Sequence, residues 1–311
     1  MRHLLDLADL SADTLHALLD AAQALRPDAL RRNQHRPLRG LTVANLFFEP
    51  STRTRASFQL AAERLGGNVL NFEAESSSTR KGETLVDTLH NLEAMGASLF
   101  VVRHTHSSVV AALAGNASPD TSIISAGDGQ HSHPTQGLLD MLTIRQHKGE
   151  DFSKLSVTIV GDIQHSRVAR SDVQALRLLG LRDLRLAGPA GLLPDLHEPC
   201  FAEARRFDTL DAALEGCDVV MMLRLQRERM DEGFVSSQEE YYRDWGLSPE
   251  RLALARNDAI VMHPGPMNRG VEIADSVADG PQSVILEQVS NGVAVRMAVL
   301  ETLANFKERA A

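Results

Sequence analysis

Short apolar runs alternate with segments of helical periodicity along almost the whole chain, and no other feature of the sequence restricts the fold so strongly. Residues 41–48 (LTVANLFF), 68–72, 99–102 and 122–125 read as buried strands. Between them, near 53–65, 84–95 and 107–114, apolar residues recur at three- and four-residue steps, the period of a helix buried on one side. A second series follows at 155–160 (LSVTIV), 184–187, 219–223 and 259–262. Consecutive strands separated by helices pair through crossover connections, which makes the sheets parallel. The predicted fold class is α/β, with two domains, each a parallel sheet flanked by helices.

The length agrees, because 311 residues exceed a single core of roughly 100–200 residues. A helical stretch at 134–147 lies between the two strand series and reads as the bridge, with the boundary near Gly149. The domains are therefore expected at 1–148 and 149–288, followed by a C-terminal helix, 289–311, packing back on the first domain. Val293, Met297, Leu300 and Leu303 give that helix its apolar side. Ser11 is suited to cap a helix running through Leu25, which Pro27 stops. Gly66-Gly67 ends the helix that follows the first strand.

Composition then removes whole classes of function. Acidic residues outnumber basic ones by 41 to 32, a formal charge of −9, so nucleic acid and anionic membrane surfaces are repelled overall. Two cysteines cannot form a disulfide framework, and no Cys/His cluster has zinc spacing. The opening MRHLLDLADL carries Asp6 and Asp9 inside its apolar stretch, unlike a signal peptide. No run of 18 uncharged apolar residues occurs. The expectation is a cytoplasmic protein of enzyme size, without nucleic-acid or membrane partners.

Open parallel sheets bind ligands beyond the carboxyl ends of their strands. The residues found there share a chemistry. After Phe48 comes Glu49-Pro50-Ser51-Thr52-Arg53-Thr54-Arg55, and after Val102 comes Arg103-His104. Ser125 leads to Gly127-Asp128-Gly129 and on to His133-Pro134-Thr135-Gln136. In the second series Val160 leads to Gly161-Asp162 and His165-Ser166-Arg167, Leu223 to Arg224 and Gln226, and Met262 to His263-Pro264-Gly265-Pro266. An acidic protein has sorted its arginines, histidines and amides to the strand ends.

Each motif has a plain reading beside the functional one. The segment 51–55 is either a helix capped by Ser51 with two solvated arginines, or an anion cradle of helix N–H groups, hydroxyls and guanidinium forks. It lacks the glycines of a Walker loop, and Gly127-x-Gly129 is too short for a dinucleotide fingerprint. The segment 76–83 (SSSTRKGE) is a surface loop capping the helix that starts near Thr84, or a loop that carries Lys81 to an anion. His3, His16, His35 and His147 have no informative neighbours. His133 differs, because Pro134 fixes its backbone and Gln136 lies one helical turn on, so imidazole and amide share one side of a helix start.

Taken together, these residues resemble the aspartate carbamoyltransferase family, catalytic chain, in order and over nearly the full length. The segment 47–55 (FFEPSTRTR) resembles the family's carbamoyl-phosphate loop, Ser77 to Lys81-Gly82-Glu83 its S-x-x-x-K-G-E loop, and His133-Pro134-Thr135-Gln136 its H-P-T-Q. Arg167, the Arg224-x-Gln226 pair and His263-Pro264-Gly265-Pro266 follow in register. Ornithine carbamoyltransferases share the S-x-R-T-R type of loop but have cysteine in H-P-x-Q and in H-C-L-P, and lack the lysine loop. Thr135, Pro264 and Lys81 each favour the aspartate enzyme. Arg167, Arg224 and Lys81 also suit a dicarboxylate and would repel a second amine.

The resemblance implies transfer of the carbamoyl group of carbamoyl phosphate to the α-amine of L-aspartate, in pyrimidine biosynthesis, with no metal or organic cofactor. By resemblance, Ser51, Thr52, Arg53 and Thr54 cradle the phosphate, and Arg103 bridges phosphate and carbonyl oxygen. Thr54, Arg103 and His133 donate to the developing oxyanion. Gln136 and the Pro264 and Gly265 carbonyls, in the turn closed by Pro266, hold the carbamoyl NH2. Lys81, Arg167, Arg224 and Gln226 hold the aspartate carboxylates. Glu49 is expected to orient arginines by ion pairing, Arg167 among them. Domain closure brings the amine to the carbonyl, and Ser77 and Lys81 reach the site of a neighbouring chain in a homotrimer with shared active sites.

The segment 164–166 (QHS) departs from the Tyr-Gly form of regulated members, so association with regulatory or dihydroorotase-like chains stays open. The loop 227–242 is a candidate mobile segment. Rival readings are a transcarbamoylase for another amino acid such as ornithine, a catalytically silent structural paralogue, and a phosphate-sensing module. A silent paralogue should have lost Arg53, Arg103 or His133, and a phosphate sensor would not need Arg167 and Arg224.

Overall fold

The computed structural model describes residues 1–25, 35–73, 82–225 and 237–310, and contacts divide the chain into two compact units. The first comprises Met1–Leu142 with Val289–Ala311, the second Thr143–Gln288. The expected loop positions Ser77, Lys81 and Gln226 lie outside the described residues.

In the first unit the order is α1 (Ala12–Ala24), β1 (Thr42–Phe47), α2 (Thr52–Arg64), β2 (Asn68–Glu73), α3 (Leu85–Ala94), β3 (Ala97–His104), α4 (Val109–Asn116) and β4 (Ser122–Asp128), leading into α5 (Pro134–Lys148). All pairings are parallel and the strand order is β2-β1-β3-β4. The apolar runs form strands because both faces are covered, as crossover helices require. Ala44, Leu46, Phe100, Val102 and Ile123 pack with Leu89 and Leu92 of α3 and Val110 and Leu113 of α4. Asn45, in the middle of β1, is fully buried and opposite Asn71 in the ladder, to which it donates at 2.9 Å. That bond offsets part of the cost of burying an amide in a strand core, the Asn45 Oδ1 having no hydrogen-bond partner among the described residues.

The helix ends follow local chemistry. The Ser11 hydroxyl accepts from the Thr14 N–H at the start of α1. Thr84 and Asp87 form a reciprocal capping box at the start of α3. Gly66, at φ +82°, ends α2, and a Cβ there would meet the Arg36 side chain at 2.6 Å. Two helices run longer than the periodicity suggests. The division between units falls within α5, after Leu142 and ahead of Gly149. The last helix begins at Ile285, earlier than 289, and most of it belongs to the first unit.

The second unit continues with β5 (Ser156–Val160), α6 (Arg167–Leu178), β6 (Asp183–Ala187), β7 (Arg205–Phe207), α7 (Leu210–Leu214), β8 (Val219–Met222), α8 (Gln238–Trp245), α9 (Pro249–Leu252), β9 (Ile260–Met262) and α10 (Asp275–Ala278), and the chain then enters α11 (Ile285–Ala310), which from Val289 on belongs to the first unit. Its sheet is also parallel throughout, in the order β7-β6-β5-β8-β9. Val160, Val220, Met222 and Val261 pack with Leu210 and Leu214 of α7 and with Ile273. Residues 238–242, expected within a mobile loop, are the start of α8. The Ser237 hydroxyl caps that helix by accepting from Glu240 N–H at 3.0 Å.

The strand orders locate the ligand crevices. In the first sheet the chain leaves β1 for β2 on one side and returns to β3 on the other, so the switch lies between β1 and β3. In the second it leaves β5 for β6 and returns to β8, so the switch lies between β5 and β8. Beyond such points two adjacent connections diverge to opposite faces and leave an opening.

Candidate active site

In the first unit the connection after β1 leads to Ser51, the N-cap of α2. Its hydroxyl makes no capping bond, although its backbone is extended and Ser11, Thr84, Ser166, Thr209, Ser237 and Ser248, extended likewise, all cap their helices with theirs; the other serine N-cap without such a bond, Ser108 of α4, is left-handed. The first turn of α2 therefore presents backbone N–H groups that no N-cap side chain answers, at the positive end of the helix dipole. Thr52 and Arg53 are exposed and Thr54 is buried. Arg53 is among the residues already engaged within the protein.

Arg103 belongs to β3 itself and not to the connection after it. The ladder continues past Val102 because Phe47 pairs with Arg103 and His104 with Asp128. The Arg103 guanidinium forms an ion pair with Glu49 and donates to the Ala126 carbonyl at 3.1 Å. Glu49, expected to orient arginines, thus holds Arg103 at the switch point of its own sheet. The pair ties the connection after β1 to the end of β3.

His133 and Gln136 flank the first turn of α5, and both are buried. The Gln136 amide donates to both Asp140 carboxylate oxygens, at 3.2 and 3.1 Å. A carboxylate only accepts, so this contact fixes the amide NH2 toward Asp140 and directs the amide oxygen elsewhere. Asp140 is fully buried. Nothing in the sequence motif singled it out, except that it stands one helical turn beyond Gln136.

A second buried charge supports this half. Arg296 of α11 is 3% exposed, lies over the Phe58 ring at 5.1 Å and donates to the Gly292 carbonyl at 2.9 Å. Burial, and then the neighbouring Arg103 charge, push its pKa down to about 9, while Asp140 acts in the opposite direction. The first unit thus gathers Arg103 and Arg296 with Glu49 and Asp140 beneath the α2 and α5 starts.

In the second unit the connection after β5 contains Asp162, which accepts from His165 Nδ1 at 2.8 Å and from the His165 backbone N–H at 3.3 Å. Ser166 caps α6 by accepting from Ala169 N–H at 3.1 Å, which places Arg167 at the first helical position, half-buried. Arg224 follows β8 and is exposed, after Leu223 donates to the Val160 carbonyl at 2.8 Å. Arg167 and Arg224 therefore leave the two strands that border the second switch point.

The connection after β9 is held by a network of polar contacts. His263 Nδ1 accepts from Gly265 N–H at 2.8 Å, so the ring proton is on Nε2, which faces Glu272 Oε1 at 3.1 Å. Glu272 also accepts from the Asn268 backbone N–H and, at 3.2 Å, from its side-chain amide. The Gly265-Pro266 peptide is cis and Gly265 has φ +63°. The buried Tyr241 hydroxyl is held far above its ordinary pKa by burial first, then by the Glu272 and Asp162 charges. Glu272 and Asn268 escaped the sequence reading, because neither belongs to the H-P-x-P pattern.

Among the described residues no group of three or more His, Cys, Asp or Glu side chains is placed to hold a metal ion, and no helix is long and apolar enough to cross a membrane.

Comparison with known proteins identifies relatives along nearly the whole chain. Residues 2–146 match the family model described as aspartate/ornithine carbamoyltransferase, carbamoyl-P binding domain, and residues 153–303 match the one for the Asp/Orn binding domain. The aspartate carbamoyltransferase catalytic subunit of Stenotrophomonas maltophilia strain K279a is 62% identical over 305 residues, spanning 97% of this chain and 96% of that protein. A crystal structure of aspartate transcarbamoylase from Trypanosoma cruzi in complex with carbamoyl aspartate and phosphate superposes with a TM-score of 0.87 at 32% identity, covering 97% of this chain and 96% of that one. The same enzyme in complex with carbamoyl phosphate and aspartate gives 0.86 at 30% identity, with the same coverage.

Proposed function

Because the chain belongs to the aspartate/ornithine carbamoyltransferase family, we infer that it is an enzyme transferring the carbamoyl group of carbamoyl phosphate to the α-amine of L-aspartate, giving N-carbamoyl-L-aspartate and phosphate. Carbamoyl phosphate is a mixed anhydride and needs no covalent activation. The amine nitrogen forms a bond to the carbonyl carbon, the bond to the phosphate oxygen breaks, and the departing phosphate takes the amine proton. The protein's part is charge neutralisation, orientation and support of the tetrahedral oxyanion.

The phosphate belongs at the start of α2, with Ser51, Thr52, Arg53 and Thr54. The observation that carries this reading is the Ser51 hydroxyl, which, in an extended N-cap conformation, leaves unfilled the capping role that the other extended serine and threonine N-caps take in six helices of the described residues. Donor groups left unanswered at a helix N-terminus suit an anion. Thr54, Arg103 and His133 donate to the oxyanion. The Gln136 amide oxygen, turned away from Asp140, accepts from the carbamoyl NH2, as do the Pro264 and Gly265 carbonyls beside Pro266. Arg167, Arg224, Gln226 and Lys81 take the aspartate carboxylates.

The reading extends to a cytoplasmic homotrimer in which Ser77 and Lys81 serve a neighbouring chain's site, and to a place in pyrimidine biosynthesis. Formation of the ureido product from carbamoyl phosphate with aspartate, set against ornithine and other amines, tests the assignment. Turnover with aspartate alone is expected. Preference for ornithine would overturn it.

A further inference from the structure

Glu272 is a fully buried carboxylate that the transfer chemistry does not use. It grips one turn at both ends. At the entrance, Oε1 faces His263 Nε2 at 3.1 Å, and at the exit it accepts from Asn268 N–H. Its other oxygen accepts from the Asn268 amide at 3.2 Å, and that amide also donates to the Leu225 carbonyl at 2.9 Å, next to Arg224. Gln288 fixes the His263 backbone by accepting from its N–H at 2.9 Å.

The grip has a directional consequence. His263 Nδ1 can accept from Gly265 N–H only while the ring proton stays on Nε2, and Glu272 is the acceptor that keeps it there. The Gly265 N–H and the Pro264 carbonyl belong to one trans peptide plane and point opposite ways. Holding the N–H against the imidazole therefore aims the Pro264 carbonyl. Gly265 sits at φ +63°, a backbone region without a strong minimum for most residues, so the aim depends on such anchoring.

On the functional reading above, we propose that Glu272 is a positioning residue that aims the Pro264 carbonyl through His263, and so confers recognition of the carbamoyl NH2. The relay distinguishes an amide from a methyl group. Acetyl phosphate carries the same phosphate and carbonyl but has no N–H to donate. Glu272→Gln replaces one acceptor oxygen by a donor facing the Asn268 amide, which forces the network to rearrange.

The test compares the KM of carbamoyl phosphate and the inhibition constant of acetyl phosphate in wild type, Glu272→Gln, His263→Asn and the double variant. In Glu272→Gln the carbamoyl phosphate KM is expected to rise on the order of tenfold, the scale of one lost hydrogen bond, with acetyl phosphate changed less than about twofold. An asparagine at 263 can still accept from Gly265 N–H but does not reach Glu272, so in that background Glu272→Gln should leave the ratio of the two constants unchanged. Equal weakening of both ligands, or the same change of ratio in both backgrounds, overturns the relay. Should Glu272→Gln not fold, His263→Asn against His263→Leu decides: the ratio is kept in the first and lost in the second, and retention in both refutes the proposal. A wild type that makes no carbamoyl aspartate would count against the functional assignment, whereas normal turnover with an unmoved ratio would count against Glu272 alone.

Discussion

Replacing Arg103 by methionine should separate what that residue does for the fold from what it does for the reaction. Its ion pair with Glu49 lies at the first switch point, with side chains only 13% and 15% exposed. Removing one partner of a buried pair costs about 3–5 kcal/mol, because the other charge stays in a poor solvent. Two features reduce the figure here. Water reaches both groups to some extent, and Arg103 repels the buried Arg296, whose pKa it helps to lower, so its loss relieves that cation. The lost bond to the Ala126 carbonyl adds about 1 kcal/mol in the other direction. A net destabilisation of about 2–3 kcal/mol follows. Adding Glu49→Gln should return most of it, since a neutral amide tolerates the site better than a carboxylate deprived of that arginine. Activity should behave otherwise: loss of one oxyanion donor costs about 10²–10³ in rate, and the second substitution cannot restore it. Denaturant midpoints and initial rates of carbamoyl aspartate formation on wild type, single and double variants read both quantities. A double variant regaining more than about a tenth of wild-type turnover, or a single variant as stable as wild type, refutes the argument.

Three further outcomes are expected. Asp140→Asn removes the constraint on the Gln136 amide, so the KM of carbamoyl phosphate should rise while inhibition by inorganic phosphate stays unchanged; equal effects on both would show a defect beyond the amide. For Asp183, burial alone would raise the pKa, but hydrogen bonds from Arg185 and then Arg205 outweigh it and bring the carboxyl from 3.8 to about 2. A depressed folded pKa stabilises above the unfolded value, so Asp183→Asn should cost about 1 kcal/mol near neutral pH, after allowance for solvent screening, and the difference from wild type should fade as pH drops from about 4 to 2 in denaturation measurements. Finally, mixing inactive Lys81→Ala chains with inactive Arg53→Ala chains and reassembling them should restore some activity, and none should appear if each chain supplies its whole site.

The strands were legible because a parallel strand is buried on both faces and must be apolar throughout, a pattern that LTVANLFF and LSVTIV carry without help from their surroundings. Where that condition fails, so does legibility. The edge strand Arg205–Phe207 contains two arginines in three residues and gives no strand signal at all. The last residues of β3 are polar, and only their register with Phe47 and Asp128 shows that the ladder continues through them. Candidate site residues could be gathered from the sequence because they follow strand ends and combine donors of one sign. Their supports could not. Asp140, Glu272 and Arg296 are single charges inside apolar or mixed helices and loops, and each acquires meaning only from a contact in the folded chain: an amide one turn back, an imidazole across a turn, an aromatic ring on another helix. The capping behaviour of Ser51 is likewise invisible in a list of residues, since the same serine in the same position would ordinarily satisfy its own helix.

Both sheets run in a single direction, so their connections all leave at the carboxyl ends of the strands, and the candidate ligand groups stand on those connections or, as with Arg103, on the last residues of a strand. Selection can therefore edit these connections one at a time while the scaffold's register is inherited intact. On the functional reading above, new residues at the exits of β5 and β8 suffice to accept a different amine, while the first sheet and the β9 exit go on serving the same acyl donor.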